Sequence, residues 1–194
     1  MIIVEGADLT GKTTFARKLA QALGFDYAHL SRLPPLFDKQ FNHYLDYLPL
    51  IKPNVVWDRF HMSEVAYSYA RNEDPSTWKI KPSYYYALDR MLLKRATIII
   101  VVTAEREVIA ERFFRAARSE MYSLEQIQRA NEAYCQMMSG ALFHDFLPFK
   151  HIHVHQLEAD RFIDDELIEG VVHMQQALMS IASFLKSTEE IRIL

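Results

Sequence analysis

The chain alternates between two kinds of hydrophobic spacing. Short apolar runs at Ile2–Val4, Phe25–Leu30, Asn54–Trp57, Thr97–Thr103 and His151–Leu157 have the length of strands. Ile98-Ile99-Ile100-Val101-Val102 is apolar without a break, as a strand covered on both faces must be. The first four runs are read as buried parallel strands. The last differs: His151, His153 and His155 fall on one face, with Ile152 and Val154 on the other, as on a sheet face or edge that meets water, or, given sharp strand curvature, around one metal ion. Spacings of three and four predict helices near 12–23, 36–48, 61–71, 82–94, 104–118, 123–139 and 163–186. In the first of them Phe15, Leu19 and Leu23 form one stripe. Alternating strands and helices imply an α/β fold, an open five-stranded parallel sheet with helices on both faces. Ligands then belong beyond the carboxyl ends of the strands. No repeat, low-complexity tract or linker interrupts the pattern, so residues 1–194 are expected to form a single domain.

The strongest chemical signal joins the first strand to the first helix. Residues 6 to 14 read Gly-Ala-Asp-Leu-Thr-Gly-Lys-Thr-Thr, a complete G-x-x-x-x-G-K-T phosphate loop in its required setting. Gly6 and Gly11 let backbone amides turn inward around phosphate oxygens, with Thr10 and Thr14 beside them. The positive end of the following helix points at the same place. Lys12 brings a point charge to the β and γ phosphates, and the Thr13 hydroxyl can ligate Mg²⁺.

Composition narrows the picture little further. Half of the 194 residues are apolar, which suits a globular domain with a full-sized core. A net charge of −3 gives no general attraction to polynucleotides or anionic membranes, so an anion site must be a local cluster. No apolar run reaches membrane-spanning length. The single cysteine, Cys135, excludes a disulfide framework and is read as a small buried apolar residue on a helix. With the first strand beginning at residue 1, no leader is expected, and the location expected is cytoplasmic.

Three further motifs lie at strand ends. Asp58 and Arg59 leave the apolar run Val55-Val56-Trp57 together; the carboxylate suits a Mg²⁺ shell or a hydroxyl and the guanidinium a phosphate, or the two form an ion pair. Arg112, Arg115 and Arg118 recur every three residues on one helix face, followed by Glu120. They are either a solvated surface or mobile cations over a transferring phosphoryl group. Arg32-Leu33-Pro34-Pro35 follows the second strand, and Arg32 either faces the same cleft or sits on a plain loop.

Together these residues resemble the thymidylate kinase and deoxynucleoside kinase branch of the P-loop kinases. Glu5 to Thr14 is similar to their E-G-x-D-x-x-G-K-T-T, and Asp58-Arg59-Phe60 with Ser63 and Ala66-Tyr67 is similar to their D-R-Y-x-x-S-x-x-A-Y. Arg112 to Tyr122, with Asn131 and Tyr134 after it, resembles their arginine-bearing lid and the next helix. The resemblance spans roughly residues 1–140 and implies a three-layer P-loop NTPase fold with a small lid near 112–122. It implies transfer of the ATP γ-phosphoryl group, with Mg²⁺, to a deoxynucleoside 5′-monophosphate. By it, Asp8 holds the sugar 3′-hydroxyl, Arg59 and Arg32 grip the acceptor phosphate, and Tyr67 lies against C2′. Ser63 and Arg71 join the acceptor side. Thr13 and Asp58 hold Mg²⁺, Arg112 lies near adenine, and Arg115 and Arg118 lie over the phosphates. The catalytic set is Lys12, Asp58, Arg59, Arg115 and Arg118. Partners are small nucleotides rather than polynucleotides or membranes, and the aromatic helix near 61–71 suggests a homodimer face.

One subtype feature and three departures shape the expectation; the first departure is the short stretch between the second and third strands, which holds no clear counterpart of the thymidylate kinase helix that stacks on thymine. Leu9 occupies the place where some members carry a loop arginine, so the lid must supply that charge. Arg32-Leu33-Pro34 lacks the carboxylate of the family's R-E-P segment. Nucleoside kinases use an acid there to deprotonate a neutral 5′-hydroxyl, whereas an anionic phosphate needs positioning more than a base. Glu64 stands where thymine would favour an amide or a small residue, which leaves the base open. A deoxynucleoside kinase and a non-catalytic nucleotide-binding switch remain the alternatives.

Overall fold

The computed structural model describes residues 1–30, 54–74, 78, 82–93, 97–116, 122–139, 151–156, 166–177 and 180. Five strands, β1 (Ile2–Glu5), β2 (Asp26–His29), β3 (Val55–Asp58), β4 (Ile98–Ala104) and β5 (His151–Gln156), form one sheet in the order β2-β3-β1-β4-β5. Every pairing is parallel. The helices are α1 (Lys12–Leu23), α2 (His61–Ala70), α3 (Pro82–Leu93), α4 (Arg106–Arg115), α5 (Leu124–Met138) and α6 (166–177).

Alternate residues of the central strands feed two cores. Ile3, Ile99 and Val101 pack with α2, α3 and α5, where Tyr85 and Tyr134 are fully buried. Ile2, Val4, Val56, Ile100 and Val102 pack on the other face with α1 and α6. This gives three layers, as the alternating pattern implied. Phe15, Leu19 and Leu23 of α1 all lie on the second core, Leu23 at its margin.

The expectation of four buried strands needs one correction. β2 is an edge strand, and Asp26 and His29 are exposed. Its local apolar run does not reveal that no strand among the described residues pairs beyond it. Helix α4 starts at Arg106 rather than near 104, because β4 stays hydrogen-bonded to β5 through Ala104. The helix expected near 36–48 and the loop carrying Arg32 lie outside the described residues. No helix among the described residues is long and apolar enough to cross a membrane.

Candidate functional site

The phosphate loop leaves β1 by a turn that only glycine tolerates. Gly6 has φ 149°, and a Cβ there would lie 2.2 Å from the Val102 carbonyl oxygen of β4. The Thr10 hydroxyl donates to the Ala7 carbonyl at 2.9 Å and closes the loop. Gly11 then caps α1 in the left-handed region without a side-chain bond to the first turn, where Thr14 is exposed. The first amides of α1 and its dipole are thus directed to an anion. The buried Lys12 ammonium donates to the Ala7 carbonyl at 3.2 Å and pairs with Asp8 at 3.4 Å. Burial and then Arg59 depress its pKa, while Asp8 and Asp58 work against that shift. Arg112 of α4 donates to the Leu9 carbonyl at 2.9 Å, which ties the start of the expected lid to the loop.

Asp58 ends β3 beside this loop. Its Oδ2 accepts from the Thr13 hydroxyl at 2.7 Å and from the Tyr27 hydroxyl at 2.9 Å, and His29 Nδ1 lies 3.1 Å away. Its Oδ1 is buried and has no hydrogen-bond partner among the described residues. Burial would raise the carboxyl pKa, but Lys12, Thr13 and Tyr27 outweigh it and hold Asp58 ionised. A hydroxyl, an anionic carboxylate and a bare carboxylate oxygen make a donor set that fits a hard divalent cation such as Mg²⁺.

The next residue turns sharply. Arg59 has φ 74°, an uncommon value for a side chain that is not glycine. Such a conformation costs of order 1–3 kcal/mol and persists only where its surroundings enforce it. Here they do. Arg59 N–H donates to the Val4 carbonyl at 2.9 Å, and the buried Glu5 carboxylate accepts from Phe60 N–H at 2.9 Å and Met62 N–H at 3.0 Å. The other Glu5 oxygen accepts from the Ser63 hydroxyl at 2.7 Å and the Tyr134 hydroxyl at 3.1 Å. Glu5 therefore fixes the Arg59 turn against both α2 and α5.

Arg59 pairs with Asp8 Oδ1, the same oxygen that meets Lys12. Tyr67 donates to Asp8 Oδ2 at 2.6 Å and accepts from Asp8 N–H at 2.9 Å. The Arg59 guanidinium stands over the Tyr67 ring at 5.5 Å, and Tyr122 lies against that ring at 4.6 Å. Burial would raise the Asp8 carboxyl pKa, but Lys12 and Arg59 hold it below its ordinary value.

The structure thus gathers Asp8, Lys12, Thr13, Asp58, Arg59, Tyr67 and Arg112. Three other candidates contact different groups. Ser63 bonds Glu5 and Tyr134, a scaffold role rather than a contact with Asp8. Arg71 bonds Glu73 and Ser68 at the end of α2. Arg115 pairs with Glu111 one turn back on α4 and is largely exposed. Arg32 and Arg118 lie outside the described residues. Sequence reasoning missed the roles of Tyr27 and His29; their only signal is two polar groups two residues apart on one strand, which places them on one face.

No protein-family model and no curated protein sequence matches the chain. Solved structures do match along most of it. The YorR protein from Bacillus subtilis, in complex with phosphorylated GDP, is 20% identical with a TM-score of 0.64, covering 90% of this chain and 95% of that one. Thymidylate kinase from Candida albicans is 17% identical with a TM-score of 0.54, covering 91% and 90%. Deoxyadenosine kinase from M. mycoides with bound dCTP is 17% identical with a TM-score of 0.54, covering 91% and 100%. With its parallel sheet, phosphate loop and helical layers, this chain has the α/β fold of the P-loop kinases.

Proposed function

We propose that the protein is an ATP-dependent nucleotide kinase that phosphorylates a deoxynucleoside 5′-monophosphate to the diphosphate. The observation that carries this reading is the sharing of Asp8 by Lys12 and Arg59. One cation belongs to the phosphate loop and the other to the turn after β3. A single carboxylate therefore spans the two positions where donor and acceptor phosphates would lie. The likeness in fold to thymidylate kinase and to deoxyadenosine kinase supports a nucleotide or nucleoside kinase, and of the two the first is in keeping with a monophosphate acceptor.

Each residue then has a role. Amides of the loop and Lys12 hold the donor β and γ phosphates. Thr13 and Asp58 would hold Mg²⁺, which neutralises charge on those oxygens when bound. Arg59, with Arg32, grips the acceptor phosphate. Asp8, relieved of its cations, takes the sugar 3′-hydroxyl, and Tyr67 beside it crowds a ribose 2′-hydroxyl. Arg112 lies towards adenine, and Arg115 and Arg118 come over the migrating group as the lid closes and excludes water.

The test is ADP release with each common deoxynucleotide and ribonucleotide as acceptor. Acceptor-dependent release with deoxynucleoside monophosphates is expected. Lys12→Ala should lower turnover far more than nucleotide affinity. Slow hydrolysis indifferent to every acceptor would instead indicate the non-catalytic switch. One observation favours a second reading, phosphorylation of a nucleoside 5′-hydroxyl: the Asp58 Oδ1 atom without a partner among the described residues is suited to accept that proton. Thymidine and deoxyguanosine assayed beside their monophosphates separate the two.

A further inference from the structure

At the carboxyl ends of β4 and β5, two histidines of β5 and the only cysteine converge from separate elements. Val101 and Thr103 of β4 pair in register with His153 and His155 of β5. The histidines therefore project on the face that carries α5, while Ile152 and Val154 join the core on the opposite face. Helix α5 is fixed over this corner by Asn131. Its side chain accepts from Ala104 N–H at 3.1 Å and donates to the Ala104 carbonyl at 2.8 Å. Cys135, one turn further along α5, is thereby brought towards the same corner of the sheet. One ligand atom from each of Cys135, His153 and His155 lies within 4.8 Å of the other two.

We propose that Cys135, His153 and His155 form a binding site for a borderline-soft divalent transition metal ion of the Zn²⁺ class, with a fourth position open to water. Ligand atoms around a tetrahedral Zn²⁺ are about 3.3–3.6 Å apart, given Zn–N and Zn–S bonds of about 2.0–2.1 and 2.3 Å. Small side-chain rotations close the remaining gap, and both histidines stand at an exposed edge that an ion can reach.

The hydrogen bonds around the cluster favour coordination. His155 Nε2 faces the Glu105 carboxylate at 3.0 Å, while its Nδ1 lies 2.7 Å from the Thr103 hydroxyl. A carboxylate only accepts, so a neutral His155 carries its proton on Nε2 and leaves Nδ1 bare. That is the tautomer a metal needs, held by the carboxylate–histidine arrangement common behind metal ligands. The Thr103 hydroxyl donates to Nδ1 and accepts at 2.7 Å from His153 Nε2. Metal entry requires His153 to move its proton to Nδ1 and Thr103 to rotate out of the gap or to supply the fourth ligand. The Cys135 thiol loses its proton to solvent on binding, and no oxidation state changes. A water-exposed polar edge explains alternating histidines. It does not explain a cysteine from another layer, nor a carboxylate behind His155.

Co²⁺ added to the full-length chain, followed by absorption spectroscopy, tests the proposal independently of any kinase activity. One ion per chain with a thiolate-to-metal charge-transfer band is expected, displaced by Zn²⁺. Cys135→Ser should abolish the band, and Glu105→Gln should weaken binding roughly 10–100-fold. Because Cys135 is half-buried, folding of that variant is checked by circular dichroism. His153→Ala and His155→Ala, at the exposed edge, give a second route. Co²⁺ held by oxygen ligands alone shows no thiolate band. Absence of the band at one equivalent, or its survival when both histidines are replaced, overturns the site.

Discussion

Glu5 and Asp58 are carboxylates at the carboxyl ends of neighbouring strands, and both are fully buried. Their surroundings nevertheless give them different work. Each Glu5 oxygen accepts two hydrogen bonds, from Phe60 and Met62 amides on one side and Ser63 and Tyr134 hydroxyls on the other. Asp58 concentrates its partners on Oδ2 and leaves Oδ1 without one among the described residues. A satisfied buried carboxylate stiffens the scaffold, whereas a half-satisfied one retains capacity for a ligand or a proton.

Substitutions can break that contrast. Glu5→Ala strands four donors in the core and should destabilise the fold by about 3–5 kcal/mol. That corresponds to a melting temperature lower by roughly 6–20 °C for a chain of this size. Asp58→Asn should do the reverse, with turnover falling about 10²–10³-fold, the range for a preorganised electrostatic group. Its melting temperature should move by less than about 4 °C. Equal thermal losses in the two variants would erase the distinction.

Arg59→Gly sharpens it next. Glycine relieves the positive φ, so thermal stability should be retained or fall only slightly, while acceptor-dependent turnover should drop by about 10²-fold or more. A smaller change is Tyr67→Phe, which removes one hydroxyl from Asp8 and should cost about 0.5–1.5 kcal/mol of stability. Unfolding midpoints in denaturant measure it. The last effect is pH-dependent. Lys12 and Arg59 depress the Asp8 pKa in the folded chain below its ordinary 3.8. That contribution is present above this value and is lost as pH falls through the depressed one. The stability gap between the native chain and Asp8→Asn should therefore narrow from neutral pH to about pH 3. A gap that widened would reverse the sign assigned to Asp8.

Much of the architecture is legible in the sequence because its signals are local. Ile98 to Val102 declares a covered strand within five residues, and Gly6 to Thr14 declares a phosphate loop within nine. What needs chain closure is not legible. Asp58 meets Tyr27 across 31 positions, and Glu5 meets Tyr134 across 129. The apolar run at β2 looks like any buried strand until the sheet order leaves it at the edge. Cys135 reads as packing until Asn131 sets α5 against Ala104. Ser63 carries the expected motif, yet its hydroxyl lies on Glu5 because the turn at Arg59 directs it inward.

The contact between Gly6 and the Val102 carbonyl has a wider consequence. The curvature of the anion-binding loop is set not by its own nine residues alone but by the spacing of the two central strands beneath it. A single added methyl group would have to pry those strands apart. Tolerance to substitution should therefore collapse at this position, where even alanine is excluded. A saturation library at residue 6, scored for soluble folded product rather than catalysis, would register that sharp boundary.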